Sequence, residues 1–354
     1  MRAVLLRALG DRLAIIVATL GFCACGRVGF RGAAAADGGV SDVAPDGADS
    51  HLHTSTGWVI SPLADLGAAF AYVQDDFVDG MGTLHRDNAP SYVAGLYLPF
   101  SAELAVIAGR SVIEVAADGT MTNHDYRPRT PDDTGPDAPA RITFADLGGG
   151  DAALWLTATS NGGGDGLYRI DAGWSMKNIS AANNTFGLVF DASGAFDGRG
   201  APTLYSVAQG QLSRQQAGGS ASVNNSLPDG VDDLAALGNA LYFTVETQTQ
   251  VLFNRLGPGT SYLKAQLDSA TSSNLVLAEG TTDGGLFAIQ DGAKLVVVDP
   301  ASGGLTQLAW SDDPAWAWLA VSAPRAGHRL AHHLIVLESN RTLDRDRLLV
   351  IAPQ

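Results

Sequence analysis

Three groups of residues have types and spacings that suit chemistry, and the first combines tryptophan with aspartate. The segment WSDDPAWAW contains Trp310, Asp312, Asp313, Trp316 and Trp318. An exposed indole ring can stack on a sugar ring while a neighbouring carboxylate accepts a hydroxyl proton. The segment is therefore a candidate ligand-binding site. The alternative is a proline-containing turn whose tryptophans pack between sheets.

The second group consists of carboxylates in a proline-rich segment. TPDDTGPDAP contains Asp132, Asp133 and Asp137. Carboxylates this close repel one another unless a hard cation such as Ca²⁺ bridges them. These three residues are the candidate metal ligands, for Ca²⁺ or another divalent cation, although a solvated acidic loop needs no ion. The sequence predicts no other cofactor.

The third group is the segment GHRLAHH, which contains His328, His332 and His333. On a helix, a spacing of four would place His328 and His332 on one face and allow a metal site. The residues that follow, LIVLES, predict a strand instead, where this spacing only repeats a face along extended chain. The sequence indicates no third ligand, so we expect solvated or hydrogen-bonded histidines.

The two cysteines, Cys23 and Cys25, are separated by one residue. Two thiolates supply half a zinc site, and a thiol-disulfide motif has two intervening residues. Their position favours an export signal. Residues 1–12 carry three arginines, and residues 13–22 form an uncharged apolar run that is short for a bilayer span.

A cysteine that follows small residues after such a run resembles the bacterial lipoprotein signal. Placing the lipidated residue at Cys25 puts Ala24 beside the cleaved bond, whereas the alternative, Cys23, keeps Leu20 in the usual leucine position but puts Phe22 beside the bond. We favour Cys25. The resemblance implies that residues 1–25 are a signal peptide with a lipobox, and that acyl chains anchor the exported protein to a membrane of the bacterial cell envelope, the outer membrane in particular.

Residues 26–56 are dominated by Ala, Gly, Asp and Ser. Such a composition buries too little apolar surface to order itself, so it predicts a flexible tether between the anchor and a domain at residues 57–354. His51 and His53 fall inside this interval. Two alternating histidines supply too few ligands for a metal, so we expect them in an unstructured polar tail.

The overall charge excludes one class of partner. The chain has 22 basic and 37 acidic residues, and phosphate binding needs clustered Lys and Arg. We therefore expect no nucleic-acid partner.

Only five of the acidic residues are Glu and the other 32 are Asp. Because Asp favours turns and Glu favours helices, this ratio predicts a chain rich in turns and poor in helix.

Downstream of the tether, short apolar runs recur between turn residues. The clearest unit begins at Asp233 and contains four runs: LAAL, ALYFTVE, VLFNRL and SYLKAQL. Aligning the second run of each unit places six leucines in equivalent positions, at intervals of about 45 residues: Leu104, Leu154, Leu204, Leu241, Leu286 and Leu334. Residues 58–88 lack the unit and are expected to supply an edge strand that closes a ring.

Six units of four short strands resemble the β-propeller superfamily, in which each blade buries its faces against its neighbours. The predicted fold is thus all-β, a β-propeller with six four-stranded blades. The alternative is a pair of β-sandwiches, which regular strand spacing also allows. The marks of WD and kelch repeats are missing, so the resemblance indicates no specific family.

The sequence contains none of the common catalytic motifs, such as the Gly-x-Ser-x-Gly elbow or His-Glu-x-x-His. Our leading hypothesis is therefore an anchored propeller that binds a protein or a carbohydrate through its loops. One alternative is a lactonase-like hydrolase with a divalent metal in the central channel, for which Glu114, Asn184, Asp191 and Glu279 are candidate channel residues. Another is a structural component of the envelope.

Overall fold

The computed structural model describes residues 50–67, 76–78, 84–86, 90–109, 111–126, 139–158, 166–180, 185–228, 231–246, 251–257, 262–266, 275–281, 284–340, 343 and 345–354. They belong to a compact unit that extends from Asp49 to Gln354. The regular structure of this part of the chain is entirely β, as predicted. None of the residues in these ranges forms a helix with the length and apolar character that crossing a membrane requires.

Four short strands precede the repeats: β1 (Leu52–Thr54), β2 (Trp58–Asp65), β3 (Asp76–Val78) and β4 (Leu84–Arg86). Strands β3 and β4 pair only with each other.

The first three blades follow in chain order. Blade 1 contains β5 (Pro90–Gly95), β6 (Leu104–Ala108), β7 (Ser111–Val115) and β8 (Met121–Asp125). Blade 2 contains β9 (Pro139–Asp146), β10 (Ala152–Ala158), β11 (Gly166–Ile170) and β12 (Met176–Ser180). Blade 3 contains β13 (Thr185–Asp191), β14 (Thr203–Ala208), β15 (Gln211–Gln216) and β16 (Gly219–Ser226).

The remaining blades have the same order. Blade 4 contains β17 (Val231–Leu237), β18 (Ala240–Glu246), β19 (Val251–Leu256) and β20 (Tyr262–Gln266). Blade 5 contains β21 (Leu275–Leu277), β22 (Leu286–Gln290), β23 (Lys294–Val298) and β24 (Leu305–Ser311). Blade 6 contains β25 (Trp316–Ser322), β26 (Leu334–Asn340) and β27 (Arg345–Pro353), and β2 is its fourth strand. The prediction of six four-stranded units is confirmed, and the paired-sandwich alternative is wrong.

The six aligned leucines lie on the second strand of successive blades, and each is at most 1% exposed. Second strands are buried on both faces because neighbouring blades pack against each side of the sheet. In β6 all five residues are buried, whereas residues of the outermost strand β8 are partly or fully exposed. This difference explains why the second strand gives the strongest apolar signal in each repeat.

The blades form a closed ring. The innermost strands β5, β9, β13, β17, β21 and β25 contact one another in that order, and β25 also contacts β5. Six hydrophobic clusters of described residues fill the spaces between successive blades, and the last of them joins blade 6 to blade 1. Each blade therefore buries both faces against its neighbours.

Strand β2 completes blade 6 from the other end of the domain. It pairs with β27 in antiparallel register, from Trp58 opposite Pro353 to Asp65 opposite Arg347. The backbone N–H of Gln354 donates to the carbonyl of Gly57 at 2.8 Å. The predicted closing strand is thus confirmed, and it removes a free edge from the last blade.

Strand β1 differs from the expectation for residues 26–56. It adds to the outer edge of blade 5 as a fifth strand, with Leu52 opposite Ser311 and His53 opposite Trp310. Residues 50–56 are therefore part of the folded unit, and the predicted boundary at residue 57 is too late. Composition alone suggested a flexible segment, but the alternation of His51, Leu52 and His53 suits a strand on a free sheet edge.

Candidate functional site

The central channel is lined by the first strand of every blade, and these inner strands run in one direction. A parallel bridge between Glu279 and Ser322 joins the ends of the inner strands of blades 5 and 6. Because all six blades have the same strand order from the channel outwards, we infer that all the inner strands begin on one face of the ring and end on the other. We call the face on which the inner strands end the strand-end face. Polar side chains occupy the channel at two levels and at its opening on the strand-end face.

The first level is an ion pair between Arg141 and Asp233. Each is the third residue of its inner strand, in blades 2 and 4, and their side chains are 10% and 2% exposed. The guanidinium Nε donates to one carboxylate oxygen of Asp233, and the other oxygen accepts the N–H of Leu277 at 3.2 Å. The guanidinium carbon lies 4.1 Å from the ring centre of Tyr92. Four blades thus meet at this pair.

The second level surrounds Glu279, two residues after β21. Its carboxylate accepts hydrogen bonds from Thr143 Oγ1 at 2.5 Å and Ser322 Oγ at 2.8 Å, and from the backbone N–H of Gly95. Burial raises the pKa of Glu279, while the hydrogen bonds and the charge of Arg325 oppose the rise. This carboxyl group links blades 5, 6, 2 and 1.

Arg325 lies at the opening on the strand-end face, three residues after β25. Its Nη2 donates to the carbonyl of Phe144 at 3.0 Å. Its guanidinium carbon is 4.7 Å from the ring centre of Tyr97 and 4.4 Å from that of Phe190. The side chain therefore reaches from blade 6 over the inner strands of blades 2 and 3.

The charge of Arg325 acts on Glu279 without a direct ion pair between the two side chains. Across the described ranges, no carboxylate forms an ion pair with its guanidinium group. The hydroxyl of Tyr97 accepts the backbone N–H of Arg325, and burial raises the pKa of Tyr97. A guanidinium group has five N–H donors, and one of them reaches Phe144. The side chain of Arg325 also hydrogen-bonds to Tyr97, and the donors that remain can meet an acceptor that enters from the strand-end face.

The described channel residues do not form a ligand group for a divalent cation. Among the described residues, no three of His, Cys, Asp and Glu come together as a ligand group. Glu279 already accepts from two hydroxyls, and the positive charge of Arg325 acts on the same carboxylate. A hard cation needs six or more oxygen ligands and is repelled by a neighbouring guanidinium.

Of the four candidate channel residues, Glu279 lies in the channel. Glu114 is on the third strand of blade 1, where its carboxylate pairs with His124 at 2.8 Å. The carboxylate of Asp191 accepts the N–H groups of Ser193, Gly194 and Phe196 and so caps a loop. Asn184 lies outside the described residues, as do Asp132, Asp133, Asp137, Cys23 and Cys25.

The tryptophan segment lies at the junction of blades 5 and 6. Trp316 and Trp318 are 8% and 1% exposed, and the indole N–H of Trp318 donates to Glu338 at 2.9 Å. Neither ring presents a face on which a sugar could stack. Asp313 accepts the N–H of Ala315 and forms a turn.

Strand β1 covers the same segment. The ring of His51 stacks on Trp316 with centroids 5.3 Å apart, and His53 stacks on Trp310 at the same distance. His53 Nε2 is 2.8 Å from the carboxylate of Asp312. The two histidines that were expected in a polar tail are therefore partners of the candidate ligand-binding residues.

The three histidines near residue 330 make separate contacts. His328 is 8% exposed; its Nε2 donates to the carbonyl of Glu103 at 2.8 Å, and its Nδ1 accepts the N–H of Leu330 at 2.9 Å. Burial lowers the pKa of His328, which suits this neutral form. His333 Nδ1 is 2.8 Å from the carbonyl of Ala331, and His332 has a positive φ of 66°. The expected hydrogen-bonded histidine is confirmed for His328.

Sequence reasoning missed Arg141, Asp233, Tyr97 and Arg325. No local pattern marks them, because each obtains its role from a residue on another blade. One signal was available for the carboxylates. Glu is rare in this chain, and the four whose side chains the structure describes all have specific partners: Glu103, Glu114, Glu279 and Glu338.

Comparisons with known proteins agree with the fold. No protein-family model matches the chain, and no curated protein matches it. Solved structures similar to it include a PQQ-bound aldose sugar dehydrogenase from Streptomyces coelicolor, with a TM-score of 0.54 and 14% identity over 85% of this chain and 100% of that one.

Two other similar structures come from different kinds of enzyme. A virginiamycin B lyase from Staphylococcus aureus has a TM-score of 0.50 and 12% identity over 84% of this chain and 100% of that one. A gluconolactonase from Xanthomonas campestris has a TM-score of 0.50 and 15% identity over 77% and 89%. At these identities the likeness shows the fold alone.

Proposed function

We propose that this chain is an exported binding protein whose propeller takes a ligand at the strand-end face of its channel. One observation carries the proposal: Arg325 holds its guanidinium group at the channel opening, among aromatic rings from blades 1 and 3, without a direct ion pair to a carboxylate of the described residues. A partly buried cation in such a setting is a recognition group.

The other channel groups support binding more than hydrolysis. Asp233 and Glu279 would be the natural acid or base in the channel, but each accepts hydrogen bonds from other blades. Their contacts join blades across the channel. A general base must reach the proton that it removes, and these carboxylate oxygens already face protein donors.

The sequence patterns at the N-terminus support export of the protein to the cell envelope. The arginine-flanked apolar run and the cysteines at residues 23 and 25 are typical of a lipoprotein signal. We propose that acylated Cys25 anchors the chain to the cell envelope and that residues 26–48 form the tether. Cys25→Ala should then move the protein from the membrane fraction to the soluble fraction, whereas Cys23→Ala should not. Retention of Cys25→Ala in the membrane fraction would contradict this anchor.

The binding function is tested by thermal unfolding of the purified protein with a panel of neutral sugars, inorganic phosphate and organic acids. At least one class should raise the unfolding temperature of the wild type and have no effect on Arg325→Ala. Arg329→Ala is the matched control, because it removes the same charge from the same loop, where Arg329 pairs with Glu103. If no class of compound raises the unfolding temperature in a way that depends on Arg325, the proposed function is wrong.

A further inference from the structure

The loops around Arg325 carry both a cationic and an apolar group. Tyr97 contacts Arg325, and the next residue, Leu98, is 86% exposed. Leu98 lies in the loop between β5 and β6, which is on the strand-end face because β5 ends there. It is the most exposed of the large apolar side chains that the structure describes. An exposed apolar side chain next in sequence to a tyrosine that contacts a guanidinium suits a ligand with both an anionic and an apolar part.

We propose that Arg325 binds the carboxylate of a small organic acid whose apolar part covers Tyr97 and Leu98. The inference rests on the proposed function and names the class of its ligand. It commits to one anionic group and one apolar group in the same small molecule.

The surroundings of the guanidinium decide how an anion can approach. The ring centres of Tyr97 and Phe190 both lie within 5 Å of its central carbon. Aromatic rings this close restrict the directions from which a ligand can reach the guanidinium. An anion would bind through the N–H groups, where two parallel donors match the two oxygens of a planar carboxylate.

The charges nearby favour a carboxylate over phosphate. A phosphate group would bring up to two negative charges and a third acceptor oxygen to a single guanidinium. The next arginine in the loop, Arg329, pairs with Glu103, and Glu279 lies close enough for its charge to influence Tyr97. Among the described residues the opening thus offers one guanidinium, which suits the single charge of a carboxylate better than the charge of a phosphate.

The test uses saturation-transfer NMR with three probes, namely benzoate, its neutral analogue benzamide and inorganic phosphate. Wild-type protein and Arg329→Ala should give a benzoate signal, which Arg325→Ala should lose. Benzamide should bind at least tenfold more weakly than benzoate. Arg325→Lys should also weaken benzoate binding, because an ammonium group keeps the charge but lacks the planar pair of donors.

Leu98→Ser tests the apolar contact separately. Because Leu98 is exposed, this variant should melt at the wild-type temperature while its affinity for benzoate falls severalfold. Three results would each overturn the inference. They are equal binding of benzamide and benzoate, an unchanged benzoate signal in Arg325→Ala, and wild-type affinity for benzoate in Leu98→Ser. If phosphate or a neutral sugar acts through Arg325 and benzoate does not, the carboxylate assignment fails and the binding function stands. If no probe or sugar acts through Arg325, both fail.

Discussion

Arg141 and Asp233 form a buried ion pair across the central channel although 92 residues separate them in the sequence. One lies on the inner strand of blade 2 and the other on that of blade 4, so the pair exists only once the ring has formed. Removing one partner leaves the other charge buried without that partner. Breaking such a pair therefore strongly destabilises the folded protein.

Asp233→Asn should destabilise the protein by about 3–5 kcal/mol, since it removes the carboxylate that faces Arg141 in the channel. Urea unfolding of the variant and the wild type measures the difference. Asp65→Asn is the control: Asp65 pairs with Arg345, and both side chains are about half exposed. A surface pair of this kind contributes at most about 1 kcal/mol. Equal losses in the two variants would contradict a special role for the channel pair.

Glu279 should make the protein less stable as pH rises. Its pKa is raised in the folded protein, so the folded state binds the proton more tightly than the unfolded state. Stability therefore falls between the ordinary carboxyl pKa of 4.5 and the raised value, and stays lower above it. Glu279→Gln does not titrate, so its stability relative to the wild type should increase across this window. Urea unfolding at a series of pH values tests this, and a constant difference would contradict it.

His328 should have the opposite effect. Burial lowers its pKa, so below the ordinary value of 6.5 the unfolded state takes up a proton that the folded state resists. The contribution of neutral His328 to the free energy of unfolding is complete above pH 6.5, and it is lost as the pH falls towards the lowered pKa. His328→Asn keeps an acceptor near the N–H of Leu330 and does not titrate. Relative to this variant, the wild type should lose stability on acidification. An identical pH dependence of the two proteins would rule out the histidine as the cause.

The two histidines of strand β1 should differ in their contributions. His53→Ala should cost less than about 1 kcal/mol, because His53 and Asp312 are 36% and 60% exposed. His51→Ala should cost more, since the His51 side chain is 12% exposed, stacks on Trp316 and lies 3.4 Å from the buried carboxylate of Glu338. Hydrogen exchange of the β1 amides and tryptophan fluorescence measure how much each substitution destabilises the pairing of β1 with blade 5. A larger effect from His53→Ala would reverse the ranking.

Much of the scaffold could be predicted from the sequence because it depends on local patterns. Turn residues separate apolar runs of strand length, and the second strand of each blade is apolar on both faces. This is why one leucine per repeat, such as Leu241 or Leu334, gave the correct blade order. The closing strand could be inferred because residues 58–88 did not fit the repeat.

The channel site depends on pairings that no local pattern encodes. Glu279 was a candidate on the basis of its residue type alone, and Glu114 and Asp191 were equally plausible until their strands were placed. Arg325 follows a strand in an ordinary loop, and only the ring brings it to Phe144 and Phe190. Composition also misled at His51 and His53, because a free sheet edge can order a short polar segment.

The pairing of β2 with β27 has a consequence for how the protein is made. Strand β2 leaves the ribosome early, but its partner, residues 345–353, is synthesised almost three hundred residues later. A product that stops short of β27 leaves β2 and β26 with open edges, which invite aggregation and proteolysis. The ring thus acts as a check on completeness, because only a chain that extends through β27 can seal it.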